Sequence, residues 1–221
     1  MALRGGEVAT MSLIRKGAEA DLYSDIWNGL KIIRKVRRIK TYRIPQLDSE
    51  IRRSRTIREA QLIHDAKLAG IPTPFIYMVD VEATTIVMQY IEGQRVKEML
   101  NYLKSDDRNE LCENIGTLIG RLHNYGIIHG DLTTSNIIVT GNEKVFLIDF
   151  GLADYSKELE KRGVDLLLMR RSLYATHYHF AKECFDSVIK GYASKIGEKT
   201  AQEVVKRIEE IAKRGRYAVE R

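Results

Sequence analysis

The chain is expected to fold as an α+β protein of two unequal parts, a small β-rich lobe carrying one helix and a mainly helical lobe. Three observations predict this. Short strand-like runs dominate before Glu92-Gly93, and longer helix-periodic runs dominate after it. Within the helical part, Gly141-Asn142 sits between two short apolar runs and marks an inserted hairpin.

In chain order, strands are expected at Leu13–Lys16, Ala20–Trp27 and Leu30–Val36, each a short run rich in β-branched, aromatic and aliphatic residues. A helix follows over Glu50–Ala69, with apolar Ile57, Ala60, Leu62, Ile63, Ala66 and Leu68 and a Gly70 stop. Two more strands, Ile76–Val81 and Thr85–Tyr90, complete the first lobe. The second lobe reads as helices at Arg108–Tyr125 (closed by Gly126), Leu166–Val188 and Lys199–Ala212, with the hairpin Asn136–Thr140/Lys144–Ile148 inserted. A cleft between two such lobes is the natural place for a ligand.

The composition excludes several classes. A length of 221 residues with 44% hydrophobic content is enough for a real core. Three prolines and 16 glycines exclude Pro-rich linkers and collagen-like repeats. Cys112 and Cys184 are too few for a disulfide framework or an all-cysteine zinc site, and read as buried thiols in a reducing compartment. The longest apolar candidate, Ile76–Ile91, is broken by Asp80 and Glu82, so no membrane span is expected. No apolar signal core opens the chain, which points to a cytoplasmic location. Residues 1–12 read as a flexible leader in which Met11 is an alternative start.

The formal net charge is +6, but it is uneven. Between Lys31 and Arg58 there are eleven Lys and Arg against two acids, Asp48 and Glu50. Such a block predicts a polyanion nearby, such as a nucleotide, a nucleic acid or an acidic partner.

The chemistry concentrates in Ile128-His129-Gly130-Asp131-Leu132-Thr133-Thr134-Ser135-Asn136, followed thirteen residues later by Asp149-Phe150-Gly151. A hairpin between them folds Asp149 back beside Asn136. Their oxygens can then hold a hard divalent cation that takes phosphate oxygens and water as its other ligands. Asp131 is left to accept a proton from an attacking hydroxyl or to orient a water. Gly151 is expected to give the sharp turn after the metal ligand.

Upstream, Lys35 lies in an apolar strand run and can neutralise nucleotide phosphates, a role for which Lys31 and Arg34 compete. Lys31 and Lys35 share a strand face; Arg34 does not. Glu59, on the first helix, is the best ion-pair partner for Lys35, although alone it would read as an exposed helix acid. The loop Gly17, Ala18, Glu19, Ala20 joins the first two strands and is small enough to approach phosphate, but Glu19 is an unexpected anion there.

Lys35, Glu59, His129-Gly130-Asp131 with Asn136, and Asp149-Phe150-Gly151 resemble the protein-kinase signature set in order. From about Met11 the whole chain resembles one subgroup, the small atypical kinase subunit of the KEOPS tRNA-modification complex. The residues that carry this include Lys16-Gly17-Ala18-Glu19-Ala20, Arg55-Thr56-Ile57-Arg58-Glu59-Ala60, Ala69-Gly70-Ile71-Pro72-Thr73-Pro74 and His129 through Asn136. Gly163-Val164-Asp165-Leu166 and Arg214-Gly215-Arg216 add to them. His-Gly-Asp is shared with antibiotic and choline phosphotransferases and with RIO-type kinases, but the Leu-Thr-Thr-Ser-Asn continuation argues against those.

The resemblance implies one bilobal protein-kinase-like domain: N-lobe 13–91, a reduced helical C-lobe 92–212, and a basic tail 213–221. It implies ATP and Mg2+ as cofactors, with Gln89 and Ile91 holding adenine through backbone groups. It also implies Ser/Thr kinase activity and autophosphorylation in isolation. With the tRNA threonylcarbamoyl transferase subunit, on the C-lobe and tail side, it implies ATPase activity supporting threonylcarbamoyladenosine formation at tRNA position 37. A small KEOPS subunit is expected on the N-lobe, and tRNA along the basic stretch and tail.

Departures from ordinary kinases shape the expected mechanism. Gly130 replaces the Arg that would read a phosphorylated activation loop, no Pro follows Pro74, and thirteen residues separate Gly151 from Asp165. Switching by activation-loop phosphorylation is therefore not expected, and partner binding takes its place. Thr133 stands where many Ser/Thr kinases carry a Lys, which predicts slow turnover. Asp165 reads as a helix N-terminal acid that also hydrogen-bonds the catalytic loop. Two other functions compete: a catalytically dispensable scaffold of the same complex, and a small-molecule phosphotransferase, which the short C-lobe disfavours.

Overall fold

The computed structural model describes residues 11–217. The leader expected at 1–12 therefore lies outside them, except for Met11 and Ser12. The chain divides into two compact units. One holds residues up to Gln61 with Pro74–Tyr90; the other holds Leu62–Thr73 and everything from Ile91 on.

The first unit is an antiparallel sheet of β1 (Ser12–Lys16), β2 (Ala20–Trp27), β3 (Leu30–Arg37), β4 (Ile76–Asp80) and β5 (Thr85–Gln89), in the order β1-β2-β3-β5-β4. Each strand end falls within one residue of its expected place. Asn28 and Gly29 both take positive φ, which turns β2 tightly into β3. Helix α1 spans Pro45–Leu68 and starts five residues before the expected Glu50. Proline suits a first helical turn, where its missing N–H costs nothing, and Asp48 adds an acid there. Asp48 is buried and accepts from Arg52 Nε at 2.7 Å, which holds its carboxyl below the usual carboxylate range. The buried stripe of α1 carries Thr56, Glu59, Leu62, Ile63 and Ala66, whereas Ile57 and Leu68, expected inside, are exposed.

Residues 62–73 count with the helical unit, not with the strands as the span 13–91 implies. Their hydrogen bonds give the reason. Pro72 O accepts from Leu147 N at 3.0 Å, and the Tyr155 hydroxyl donates to Asp65.

The second unit opens with β6 (Gly93–Arg95), α2 (Val96–Met99) and α3 (Ser105–Tyr125), then β7 (Ile127–Ile128), β8 (Ile137–Thr140), β9 (Val145–Leu147) and β10 (Asp154–Tyr155). Helices α4 (Leu159–Thr176), α5 (Ala181–Ile196) and α6 (Glu198–Tyr217) complete it. Gly126, at φ 91°, caps α3 as expected. Residues 141–143 connect the β8–β9 pair, as the expected strand ends imply. Glu143 takes the left-handed position at φ 61°, and Thr140 N bonds Lys144 O beyond it.

The single helix expected over Leu166–Val188 is two, α4 and α5. His177 breaks it at φ −136° and ψ 39°, with its Nδ1 donating to Asn101 Oδ1 at 2.8 Å. No Gly or Pro marks this break in the sequence. Helix α4 also starts seven residues early, so Asp165 lies inside it and is not an N-terminal acid. Helix α6 runs to Tyr217, so the expected tail at 213–221 begins as helix.

The core of this unit lies where α3 and α5 press together. Cys112, Ile115, Ile119 and Leu122 of α3 meet Cys184, Val188 and Tyr192 of α5, all fully buried. The neighbouring Cys184 thiol pushes the Cys112 thiol up, and burial adds to that push. Contact is backbone-close. A Cβ on Gly116 would sit 1.9 Å from Val188 O, and one on Gly191 1.8 Å from Glu113 O. No helix among the described residues is long and apolar enough to cross a membrane. Gly191→Ala should therefore lower stability by about 3 kcal/mol, read as a shift in the denaturant midpoint at unchanged slope.

Candidate functional site

In the first unit, strand parity puts Lys35 and Arg37 of β3 on one face. Lys35 Nζ donates to Glu59 Oε1 at 2.5 Å, and Arg37 Nη2 donates to Glu59 Oε2 at 2.6 Å. Arg37 Nη2 also reaches the Arg55 carbonyl at 3.0 Å. All three charged side chains are buried, Glu59 to 2% exposure, so the bland reading of Glu59 as an exposed acid does not hold. The competing cations are occupied elsewhere. Lys31 Nζ lies 3.9 Å from the centre of the Tyr90 ring, and Arg34 Nε donates to Asp25 at 2.6 Å.

The loop Gly17-Ala18-Glu19-Ala20 is a tight turn in which Gly17 N donates to Ala20 O at 3.1 Å. A Cβ on Gly17 would sit 2.3 Å from that oxygen, so only glycine fits. The unexpected Glu19 is neutralised within the unit. Its Oε2 accepts from Arg55 Nη1 at 2.6 Å, Lys40 stands 3.8 Å from Oε1, and Arg38 N donates to its carbonyl at 3.0 Å. Lys40 Nζ further donates to Ala18 O.

Other cations of the basic stretch also have partners within the unit. Arg38 faces Asp21, Arg43 and Arg52 face Asp48, and Arg53 faces Glu82. Much of the charge between Lys31 and Arg58 is thus satisfied by the unit's own acids and carbonyls, which a count of charge along the sequence does not reveal.

Gln89 ends β5 in the first unit, and its N–H donates to Phe75 O at 2.8 Å. The Gln89 amide hydrogen is therefore committed, and its carbonyl is the backbone group left to bind. Ile91 is buried and belongs to the second unit.

In the second unit, the catalytic-type residues gather on one loop. Asn136 Nδ2 donates to Asp131 O at 2.9 Å and to Asp131 Oδ2 at 2.8 Å. Two acceptors facing one end of the amide fix that end as nitrogen, so the atom it can offer a cation is Oδ1. Ile148 N donates to Asn136 O at 3.0 Å, and β8 pairs with β9 through Ile137 and Leu147. That pairing carries Asp149 back next to Asn136. The sharp turn falls on Asp149 itself, at φ 65°, and not on Gly151. Aspartate is one of the few side chains that tolerate this region.

The loop is held from behind. Asp165 is fully buried in α4 and accepts from His129 N at 2.6 Å on Oδ2 and from Gly130 N at 2.8 Å on Oδ1. His123 Nε2 lies 3.2 Å from Oδ2, and its Nδ1 lies 3.1 Å from the Tyr192 hydroxyl, which burial pushes to higher pKa. Ser172 lies two turns along the same α4 face. Its Oγ accepts from Thr134 N at 3.0 Å. Gly130 adopts φ 78°, and a Cβ there would sit 2.1 Å from Leu152 O.

His129 is fully buried, packs on Phe150 and places Nε2 3.1 Å from Ile148 O. With Nε2 donating, Nδ1 accepts from Asp131 N at 3.4 Å. Burial holds its pKa below the usual histidine value, despite the pull of Asp165, Asp149 and Asp131.

The sequence reading missed Arg37, Ser172, His123 and Tyr192. Strand parity with Lys35 could have found Arg37, and a spacing of seven from Asp165 could have found Ser172. The others pair across α3 and α5, which no local pattern announces.

The protein kinase domain family model matches residues 24–198. The KEOPS complex subunit Bud32 of Pyrococcus abyssi is 45% identical over 213 residues, covering 94% of this chain and 96% of its own length. A probable bifunctional tRNA threonylcarbamoyladenosine biosynthesis protein of Methanothermobacter thermautotrophicus is 46% identical over 205 residues. This chain spans 36% of that longer relative, and 93% of this chain is matched. Among solved structures, the Rio2 kinase of Chaetomium thermophilum aligns with a TM-score of 0.61 at 18% identity, covering 91% of this chain and 73% of that one.

A buried neutral histidine sets a pH dependence. His129 and the buried His177 both have pKa values pushed below the ordinary 6.5. The unfolded chain therefore binds protons first as pH falls. Stability is full above 6.5 and declines as pH drops toward the folded values, by up to about 1.4 kcal/mol per unit for each histidine. Thermal midpoints measured from about pH 7.5 to pH 5 should show this fall.

Proposed function

We propose that this chain, which belongs to the protein kinase domain family and within it to the Bud32 family of KEOPS complex subunits, is an ATP-dependent Ser/Thr kinase and ATPase acting in tRNA threonylcarbamoyladenosine synthesis. The observation that carries the proposal is the hydrogen-bonded Asp131–Asn136 pair, with the backbone of Ile148 bonded to Asn136 one residue before Asp149. The amide of Asn136 is spent on Asp131 through nitrogen, and Asp149 arrives beside Asn136 on the returning strand.

The donor set suits Mg2+. Asn136 Oδ1 and the Asp149 carboxylate are hard oxygen ligands. Among the described residues no three His, Cys, Asp or Glu side chains cluster as a metal cage. The remaining ligands would be phosphate oxygens and water, as expected for a cation that arrives with a nucleotide. When bound, the ion would neutralise charge on the terminal phosphates.

Asp131 then acts on the attacking group. The Asn136 amide holds one of its oxygens, which fixes the carboxylate's orientation for accepting a proton from a hydroxyl or positioning a water. Lys35, steadied by Glu59, would neutralise nucleotide phosphates, and the Gly17–Ala20 turn would offer them its backbone. The Gln89 carbonyl and the Ile91 amide would take the adenine edge.

For partners we assign the tRNA threonylcarbamoyl transferase subunit to the helical unit, where Tyr174 and Tyr178 are exposed. The small KEOPS subunit fits the first unit, where Ile39, Tyr42, Ile44 and Ile57 are exposed apolar side chains. Direct tRNA contact is assigned to the basic stretch and tail, although much of the stretch's charge is also paired within the unit. A cytoplasmic location accords with this role.

Asp131→Ala should cut phosphate release from ATP and phosphoryl transfer to protein by at least about a hundredfold. The comparison is made with and without the transferase subunit and tRNA. Undiminished tRNA modification by the variant would make this chain a scaffold.

A further inference from the structure

Glu59 sits on a helix, and a carboxylate at the end of a two-methylene stem can turn. In the first unit it is not left to turn. One oxygen is taken by Lys35 at 2.5 Å, the other by Arg37 at 2.6 Å. Both cations come from the same strand, two residues apart and on the same face. Arg37 is anchored in turn. The same Nη2 reaches the Arg55 carbonyl, one helical turn before Glu59 on α1, at 3.0 Å. Arg55 carries its own link onward, its Nη1 holding Glu19 in the Gly17–Ala20 turn at 2.6 Å. A continuous chain of contacts thus runs from that turn through Arg55, Arg37 and Glu59 to Lys35, and its inner members are buried.

We propose that Arg37 is a positioning residue for Lys35: by holding Glu59 Oε2 and the α1 backbone together, it keeps the Lys35–Glu59 pair formed without help from a phosphorylated segment. The proposal rests on the ATP reading of the site and deepens it. Its physical content is preorganisation. A carboxylate pinched between two cations is fixed in orientation, so ordering of the Lys35–Glu59 pair is not charged to nucleotide binding. Breaking such a buried arrangement by removing one partner is costly, because the other charges stay behind. Lysine could replace the charge of Arg37, but its ammonium lacks the planar, preorganised fork and the longer reach of the guanidinium.

The test uses the full chain with Arg37→Met, Arg37→Lys, Glu59→Gln and the Arg37→Met/Glu59→Gln pair. Phosphate release gives KM for MgATP and kcat, and thermal unfolding is followed without nucleotide. Arg37→Met should raise KM at least about tenfold with a smaller fall in kcat, and Arg37→Lys should recover part of that rise. In the Glu59→Gln background, Arg37→Met should add little, because its effect passes through Glu59. Additive effects on KM in the double variant, or an unchanged KM in folded Arg37→Met, would overturn the assignment. The unfolding cycle separates this from failure of the ATP reading. Coupling between residues 37 and 59 in the absence of nucleotide, in a wild type that does not bind MgATP, would leave the clamp standing and sink the ATP function alone. Absence of that coupling would sink the clamp whether or not ATP binds.

Discussion

The helical unit depends on one carboxylate. Asp165 is fully buried, and a buried charge is tolerated only when donors surround it. It receives two consecutive backbone N–H groups, from His129 and Gly130, and stands 3.2 Å from His123 Nε2. Those two amides can point the same way only because Gly130 is in the left-handed region and lets Leu152 O come close. The direction of the chain into Asp131 is thereby set before any ligand arrives. Ser172 fixes the far end of the loop from the same helix face, so a single helix supports both ends of the segment that carries Asp131 and Asn136.

The first unit solves a different problem by different means. Its Lys35–Glu59 pair lies in a sheet and a helix, with no loop to be braced. The surplus of Lys and Arg that looks in the sequence like an invitation to a polyanion is largely the unit's own scaffolding. Asp21, Asp48, Glu19 and Glu82 absorb it. Many of these pairs are exposed and contribute little stability singly. Their effect is to define the Gly17–Ala20 turn and the start of α1. A count of charge along the sequence does not separate cations paired inside the unit from those offered to a polyanion.

What could be read from the sequence follows from locality. The strands of the first unit, the Gly126 stop and the spacing of Asp131, Asn136 and Asp149 are encoded over a few residues, and the structure brings Asp131 and Asn136 into direct contact. The break at His177 was invisible because it has no Gly or Pro; it depends on Asn101, far away in sequence. Helix α4 starts at Leu159, before the apolar run at Leu166, and runs through Gly163, where Arg207 and Ile211 of α6 approach within 3.1 Å of the Cβ position. The sharp turn was assigned to Gly151 by residue type, yet Asp149 takes it. Glu59 is the clearest case of local pattern losing to tertiary context, since its neighbour Ile57 points to solvent while the acid goes inside.

The seam between α3 and α5 has a practical corollary. Cys112 and Cys184 are the only thiols in the chain and both are essentially inaccessible. A water-soluble alkylating reagent can reach them only when the two helices part. The rate at which they are capped therefore clocks the opening of this seam, and the native sequence carries its own probe of how often the helical unit breathes.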